Sequence, residues 1–202
     1  MEYMENNKAL VVGTVVTNPT YSHSSFGEDF FTFEVATKRD SGVEDLIPCM
    51  VSNRLVDTSV DIVGSMVRVS GTFRSRNIHT EERSKLVLNL FAHEFEVVED
   101  DLIDVNTIKL CGYICKPPIF RQTPKGRLIC DFLLAVNYDN GKSAYIPCIA
   151  WGRNARFVES HVVGDYLELL GRMQSREYLK VYEDGTEVVK TAYEISVQLV
   201  ED

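Results

Sequence analysis

The chain repeats itself, because its second half matches its first when the two are offset by 99 positions. The match is plainest at "IPC", which is spelled at residues 47–49 and again at residues 146–148. Other matched positions, with one inserted residue in the later part, are Asn7 and Asn106, Gly13 and Gly112, Pro19 and Pro118, Phe33 and Phe132, and Gly71 and Gly171. This pattern predicts a tandem duplication of one small domain. We place the N-terminal copy at residues 1–99, a linker at residues 100–105 and the C-terminal copy at residues 106–202.

Each copy is divided by glycines and turn residues into short segments with strand composition. The order predicted is three strands, a short helix and two further strands, with the helices over residues 53–63 and residues 153–163. A glycine inside the first strand of each copy, Gly13 or Gly112, predicts a bulge or a tight bend at a barrel corner. The order is typical of an all-β chain with two tandem five-stranded Greek-key barrels of the OB type. Periodicity alone leaves other small barrels open.

Several classes of protein and site do not fit the sequence. No apolar run approaches the roughly 20 residues that cross a bilayer, and "MEYMENNK" lacks the apolar core of a secretion signal. We therefore expect a cytosolic protein without a membrane partner. The five cysteines and four histidines do not have the spacing of a zinc site, so buried cysteines and no metal are expected. Without a catalytic motif, neither an enzyme nor a cofactor is expected.

Charge is distributed unevenly between the two copies. The net charge of −9 argues against a nucleic-acid partner, whose phosphates favour a basic surface. However, residues 1–100 hold 9 Lys and Arg against 16 Asp and Glu, whereas residues 106–200 hold 12 against 10. The acidity therefore belongs mainly to the first copy, and the second copy keeps enough cations to bind phosphates.

The second copy resembles the bacterial single-stranded DNA-binding protein family. The resemblance rests on Asn106, "PIFRQTPKG", "LLAVN", "YIPCIAWGR" and "VGDYLELLGRMQSREY", in this order and spacing. It implies an OB-fold that binds single-stranded DNA without reading its sequence, in replication, recombination or repair. It also implies a cytoplasmic protein associated with the nucleoid. Family members with two barrels commonly form dimers, so a homodimer with four barrels is implied. Members typically end in a flexible acidic tail that recruits enzymes. This sequence stops directly after its last predicted strand, so recruitment through such a tail is not expected.

Alternation along the "IPC" strand selects candidate base-stacking residues. Tyr145 and Trp151 share a face opposite Ile146, Cys148 and Ala150, because alternate residues of a strand point to opposite sides. In the resembled family, rings at the positions of Tyr145, Trp151 and Tyr178 stack on bases. The predicted DNA-binding residues are Tyr138, Tyr145, Trp151, Tyr178, Arg121, Lys125, Arg127, Arg153, Arg172 and Arg176. The corresponding ring positions of the first copy hold Leu46, Ser52, Ile78 and Arg39. We therefore expect this copy to be degenerate for binding, with a structural or assembly role and weaker contacts from Arg74 and Arg76.

Other roles for these residues remain open. Trp151 and Tyr145 would also suit a protein interface or a core. Arg172 and Arg176, in a row with Gln174, would suit a solvated face paired with Glu168 and Glu177. Lys125 and Arg127 are either phosphate contacts or turn residues. The alternative function is an OB-fold scaffold subunit that no longer binds nucleic acid.

Overall fold

A computed structural model describes residues 6–79, 84–99, 102–138, 141–182 and 185–202. Within these ranges the chain forms twelve strands and one short helix, α1. The elements of the first copy are β1 Asn7–Val15, β2 Thr20–Ser25, β3 Glu28–Lys38, β4 Glu44–Ser52, β5 Met66–His79 and β6 Ser84–Val97. Those of the second copy are β7 Val105–Ile114, β8 Ile119–Gln122, β9 Leu128–Asn137, β10 Ser143–Trp151, α1 Arg153–Glu159, β11 Tyr166–Val181 and β12 Glu187–Glu201.

Each copy closes into a five-stranded barrel. In the first barrel, β1 pairs with β5 along most of its length and with β3 at its end, while β4 and β6 pair in parallel. The second barrel repeats this arrangement with β7, β11, β12, β10 and β9. The short strands β2 and β8 add an edge to β3 and β9, in segments read from the sequence as loops. The prediction of two tandem OB-type barrels is confirmed.

The two barrels join through an antiparallel ladder between β1 and β7. Ala9 lies opposite Ile108 at its centre, and the ladder merges both barrels into one twelve-stranded sheet. On one side of this seam, the Tyr145 backbone N–H donates to Ser75 Oγ at 2.7 Å. On the other side, the Leu46 N–H donates to Ser175 Oγ at 3.0 Å. The repeat in the sequence therefore becomes an approximate twofold arrangement in space.

Each barrel contains one asparagine that bridges two strands. The Asn7 side-chain amide donates to the Phe73 carbonyl at 2.7 Å, and its Oδ1 accepts from the Phe73 N–H at 2.7 Å. Asn106 makes the same pair of bonds with Met173, at 2.7 and 2.9 Å. The amides satisfy backbone groups inside the fold, so both residues have a structural role.

The matched glycines Gly13 and Gly112 stand where two strands approach each other closely. A Cβ added at Gly13 would lie 2.2 Å from the Ala36 carbonyl oxygen, and one at Gly112 would lie 2.4 Å from that of Ala135. Both glycines therefore allow the first strand of each barrel to turn closely against the third, as a tight corner requires. The register irregularities lie elsewhere: next to Gly71 in β5, between Leu170 and Gly171 in β11, and between Tyr21 and His23 in β2.

Only one of the two predicted helices forms. In the second copy α1 covers Arg153–Glu159, but in the first copy residues 53–63 form turns and irregular backbone. There Asp57 accepts hydrogen bonds from the N–H and hydroxyl of Ser59, and Asp61 accepts one from the Val63 N–H. Such local side-chain bonds to the backbone compete with helix formation. The prediction of a helix in each barrel is therefore wrong for the first.

The barrel interiors are apolar. Phe73 and Met173 are fully buried at equivalent places in the two cores. Four of the five cysteines are buried, with Cys115 partly buried, and burial raises the pKa of the Cys49 and Cys148 thiols. The described part of the chain includes no helix long and apolar enough to pass through a membrane.

Candidate nucleic-acid interface

The predicted alternation along β10 is present in the structure. Ile146, Cys148 and Ala150 are buried in the core. On the opposite side, Tyr145 is 46% exposed and Trp151 is partly buried. Six residues of extended chain span about 20 Å, so the two rings lie at opposite ends of one strand face.

Strand pairing extends this surface over the neighbouring strands. Trp151 of β10 and Arg121 of β8 both pair with Ile129 of β9, from its two sides, so the three form one row. The next row consists of Asp131, Ile149, Ser196 and Arg172. We call the outer surface of β9, β10, β12 and β11, with β8 at its edge, the four-strand face. Ile129 is only 2% exposed although it lies outside the core cluster, so this face has an apolar floor.

Two predicted cations on the four-strand face are paired with carboxylates. Arg121 Nε donates to Asp131 Oδ2 at 2.8 Å, and Arg176 Nε lies 3.4 Å from Glu194 Oε1. Both arginine side chains keep half or more of their surface exposed. Asp131 is itself partly exposed, and exposed ion pairs contribute about 0.2–1 kcal/mol, so a phosphate can compete for Arg121 at small cost. Glu194 is only 9% exposed, so displacing Arg176 from it would leave a buried carboxylate without its cation.

The predicted row of polar donors on β11 is only partly available. Gln174 is 7% exposed and donates to Glu194 Oε1 at 2.7 Å, so its amide is used within the protein. Arg172 is partly buried, and burial lowers its pKa, with the neighbouring positive charge of Arg39 acting in the same direction. Arg176 is therefore paired with a carboxylate, but with Glu194 and not with the Glu168 or Glu177 of the alternative interpretation.

Tyr178 lies farther along β11, where the β11–β12 hairpin extends. It is 39% exposed and pairs across the ladder with Lys190. The ring and the ammonium-bearing residue are therefore neighbours on this extension.

The remaining predicted cations surround the Trp151 end of β10. Lys125 and Arg127 are exposed in the β8–β9 turn, which is closed by a hydrogen bond from the Thr123 N–H to the Arg127 carbonyl at 2.8 Å. Gly126 in this turn has a φ of +81°, a conformation that favours glycine. Arg153 is exposed at the start of α1, two residues after Trp151. The structure thus gathers these cations near one predicted stacking ring.

Tyr138 is placed differently from the other predicted rings. It is partly buried and packs against the core, and its hydroxyl is buried without a hydrogen-bond partner among the described residues. Burial raises its pKa, and the positive charge of Arg74 in the first barrel acts in the opposite direction. Tyr138 therefore lies at the seam between the barrels, beside Arg74.

The equivalent face of the first barrel has a ring cluster that the sequence interpretation missed. At the positions of Tyr145 and Trp151 stand Leu46 and the buried Ser52, while the side chain of Ile78 lies outside the described set. However, Phe91 of β6 pairs with Met50 of β4, and the Arg74 guanidinium carbon lies 3.5 Å from the centre of its ring. Alternation along β6 would have placed Phe91 on the outer side, but its neighbours depend on the parallel pairing of distant strands.

Comparisons with known proteins agree with this architecture. A sequence model of the Single-strand binding protein family matches residues 6–98 and residues 105–201. Single-stranded DNA-binding protein 3 of Listeria innocua is 33% identical over 81 residues, which are 37% of this chain and 51% of that protein. Single-stranded DNA-binding protein A of Bacillus subtilis is 33% identical over 81 residues, 37% of this chain and 47% of the relative. The matches span about half the length of these curated relatives.

Two solved structures share the fold of the whole described chain. The wild-type single-stranded DNA binding protein from Thermus aquaticus aligns with a TM-score of 0.77 and 18% identity, covering 96% of this chain and 91% of that one. A deletion mutant of the same protein aligns with a TM-score of 0.74 and 20% identity, covering 96% and 93%. At this level of identity the likeness concerns the arrangement of the two barrels.

Proposed function

The chain belongs to the Single-strand binding protein family, and from this premise we propose that it binds single-stranded DNA without reading its sequence. The observation that carries the proposal is the four-strand face, where Tyr145 and Trp151 flank an apolar floor and arginines stand at the edges. Single-stranded DNA offers unpaired bases and a phosphate backbone. A surface that combines flat rings with cations suits both without selecting a base.

Base stacking on the second barrel is the first part of the proposed mechanism. Trp151, Tyr145 and Tyr178 provide rings in sequence along β10 and β11, and Tyr138 provides one at the seam. Each base stacked on an aromatic side chain contributes about 1–3 kcal/mol, measured by alanine substitution. The apolar floor supports this proposal because Ile129, the cross-strand neighbour of Trp151, is only 2% exposed and provides apolar surface beside the ring.

Neutralisation of phosphates is the second part. Lys125, Arg127 and Arg153 are exposed around Trp151 and would follow the backbone of the strand. Arg121 would exchange Asp131 for phosphate oxygens, whereas Arg176 would contact a phosphate while keeping the buried Glu194 as its partner. Each phosphate neutralised on a single strand contributes about −0.7 to the slope of log affinity against log salt. We therefore infer binding that weakens steeply as salt rises.

The two barrels would contribute unequally to DNA binding. We infer that the C-terminal barrel, residues 106–202, is the principal binding domain. The N-terminal barrel, residues 1–99, lacks rings at the family positions, and residues 100–105 connect the two. Its acidic balance supports a mainly structural part for the first barrel. We infer a role in replication, recombination or repair for a cytoplasmic protein associated with the nucleoid.

We also infer a homodimer with four barrels. Support comes from the outer side of the sheet around the seam, which β1, β7 and the first half of β11 form. There Leu10, Leu170, Tyr113 and Tyr166 are each between 37% and 45% exposed, and the two tyrosine rings pack edge to face at 5.5 Å. Apolar side chains grouped on one sheet are characteristic of surfaces that associate.

Paired substitutions test the proposal. Trp151→Ala should weaken binding of oligothymidine about fivefold or more, as expected for one lost stacking contact, while Ser52→Ala at the equivalent place in the first barrel should change it little. Gel shifts with single-stranded DNA, duplex DNA and RNA at two salt concentrations define the ligand. Equal losses from both substitutions would contradict the division between barrels. No binding of single-stranded DNA even at low salt would favour the scaffold function.

A further inference from the structure

We propose that the first barrel carries a second base-stacking site, composed of different residues and centred on Phe91 and Arg74. The inference rests on the proposed function, since it concerns where else the same strand is held. This site is not a weakened copy of the stacking site in the second barrel. The four ring positions of the second barrel correspond to other residues of the first barrel, and Phe91 and Arg74 are not among them.

The site is a packed group of rings on the outer face of β3, β4, β6 and β5. The Phe91 ring lies 5.6 Å from Phe30 and 5.8 Å from His93, and Phe30 stacks on His23 at 5.1 Å with 18° between the planes. The Arg74 guanidinium covers one side of Phe91 at 3.5 Å. A guanidinium plane stacked on a ring is itself a surface on which an unpaired base stacks.

The centre of this face has the charge that a phosphate backbone requires. Strand register places Arg74 opposite Asn89 in the first barrel, where the second barrel has Gln174 opposite Glu194. At this place the first barrel therefore has a cation and a neutral amide, whereas the second barrel has a neutral amide and a carboxylate. The first barrel, although acidic as a whole, is more cationic than the second at this point.

Asn89 is a second, independent observation that points to a ligand at this site. It is 6% exposed, and its Oδ1 is buried without a hydrogen-bond partner among the described residues. It faces the same side of β6 as Phe91, two residues away, and opposes Arg74. An unsatisfied buried acceptor is costly, and the exocyclic N–H groups of a base would satisfy it.

The strand has a direct route from the second barrel to this site. The Tyr145 N–H donates to Ser75 Oγ across the seam at 2.7 Å, and Ser75 lies between Arg74 and Arg76 in β5. Tyr138 of the second barrel is also close enough to Arg74 for the two groups to interact electrostatically. A strand leaving the Tyr145 ring therefore crosses the seam directly onto Arg74 and Phe91.

Fluorescence separates this inference from the proposed function. Two proteins are compared. In the unaltered protein, Trp151 is the only tryptophan, so its fluorescence reports binding to the second barrel. In the double variant Trp151→Phe, Phe91→Trp, both positions keep an aromatic ring. Its single tryptophan stands at position 91, so its fluorescence reports binding to the first barrel. Each is titrated with oligothymidine of about 8 nucleotides, within the span of one barrel, and of about 35 nucleotides, enough for two. We expect the long strand to quench the reporter at position 91.

Affinity gives the second readout. The matched control is Arg68→Gln, which removes the same charge from an exposed arginine of β5 that pairs with Glu96 at 2.9 Å. Arg74→Gln, which introduces the residue type of the second barrel, should weaken binding of the long strand about fivefold and lower its salt slope by about 0.7, with little effect on the short strand. If Trp151 is quenched but the reporter at position 91 is not, and Arg74→Gln binds like the parent, the second site is refuted and the proposed function stands. If neither reporter is quenched and neither strand binds even at low salt, the proposed function is refuted and the second site with it.

Discussion

Asp131 is the acidic partner of Arg121 at the edge of the four-strand face, and replacing it probes the phosphate contacts directly. In the free protein Arg121 donates to Asp131 at 2.8 Å, and both side chains are substantially exposed. A bound phosphate has to compete with that carboxylate. Asp131→Asn removes the competitor and a repulsive charge while keeping the size of the side chain.

The expected gain follows from the strength of the pair. An exposed pair contributes about 0.2–1 kcal/mol, so its removal should raise affinity for single-stranded DNA about 1.5- to 5-fold at low salt. One more phosphate neutralised steepens the salt slope by about 0.7, so a fourfold rise in salt should cost the variant about 2.6-fold more affinity than the parent. Fluorescence titrations with oligothymidine at several salt concentrations give both quantities.

Glu96→Gln is the matched control for this experiment. Glu96 pairs with Arg68 at 2.9 Å on the surface of the first barrel, with comparable exposure, and its substitution changes the net charge of the protein by the same amount. We expect it to leave both affinity and salt slope almost unchanged. If the two variants behave alike, net charge rather than the Arg121 site controls binding, and the assignment of Arg121 is refuted.

Two further predictions concern the seam and the barrel corner. Asp45 is buried, accepts hydrogen bonds from Arg39 and from the Ser175 N–H, and raises the pKa of Arg39. Asp45→Asn leaves that guanidinium without its carboxylate and should lower the free energy of unfolding by about 3 kcal/mol in urea titrations; a loss below about 1 kcal/mol would show that the pair is not important for the seam. Gly112→Ala places a Cβ 2.4 Å from the Ala135 carbonyl oxygen and should cost about 1–3 kcal/mol, seen as a lower melting temperature. An unchanged melting temperature would show that β7 can move away from β9.

The fold could be predicted from the sequence largely because the chain contains it twice. Matched glycines and "IPC" strands fixed the order of the elements, and alternation along β10 separated the Tyr145 side from the core side. The helix predicted over residues 53–63 failed because Asp57 and Asp61 bond locally to the backbone. Side-chain bonding of that kind outweighs a weak helical pattern.

The arrangement of the site was harder to predict because it depends on pairing between distant strands. The burial of Gln174 follows from its bond to Glu194 across β11 and β12. The contact of Phe91 with Arg74 depends on register between β5 and β6 and on the parallel β4–β6 pair. Tyr138 has a core and seam position that no periodicity in its own segment indicates. Local alternation assigns a side chain to a face, whereas its neighbours across the sheet require the three-dimensional register.

The most direct test of the central claim uses the intrinsic fluorescence of Trp151, the only tryptophan in the chain. Oligothymidine is added to the unaltered protein at low salt, and salt is then raised in steps. We predict strong quenching as bases stack on the Trp151 ring, reversed by salt, with little response to duplex DNA. Unchanged fluorescence with bound oligothymidine, or equal quenching by duplex DNA, would contradict the placement of the strand on the second barrel.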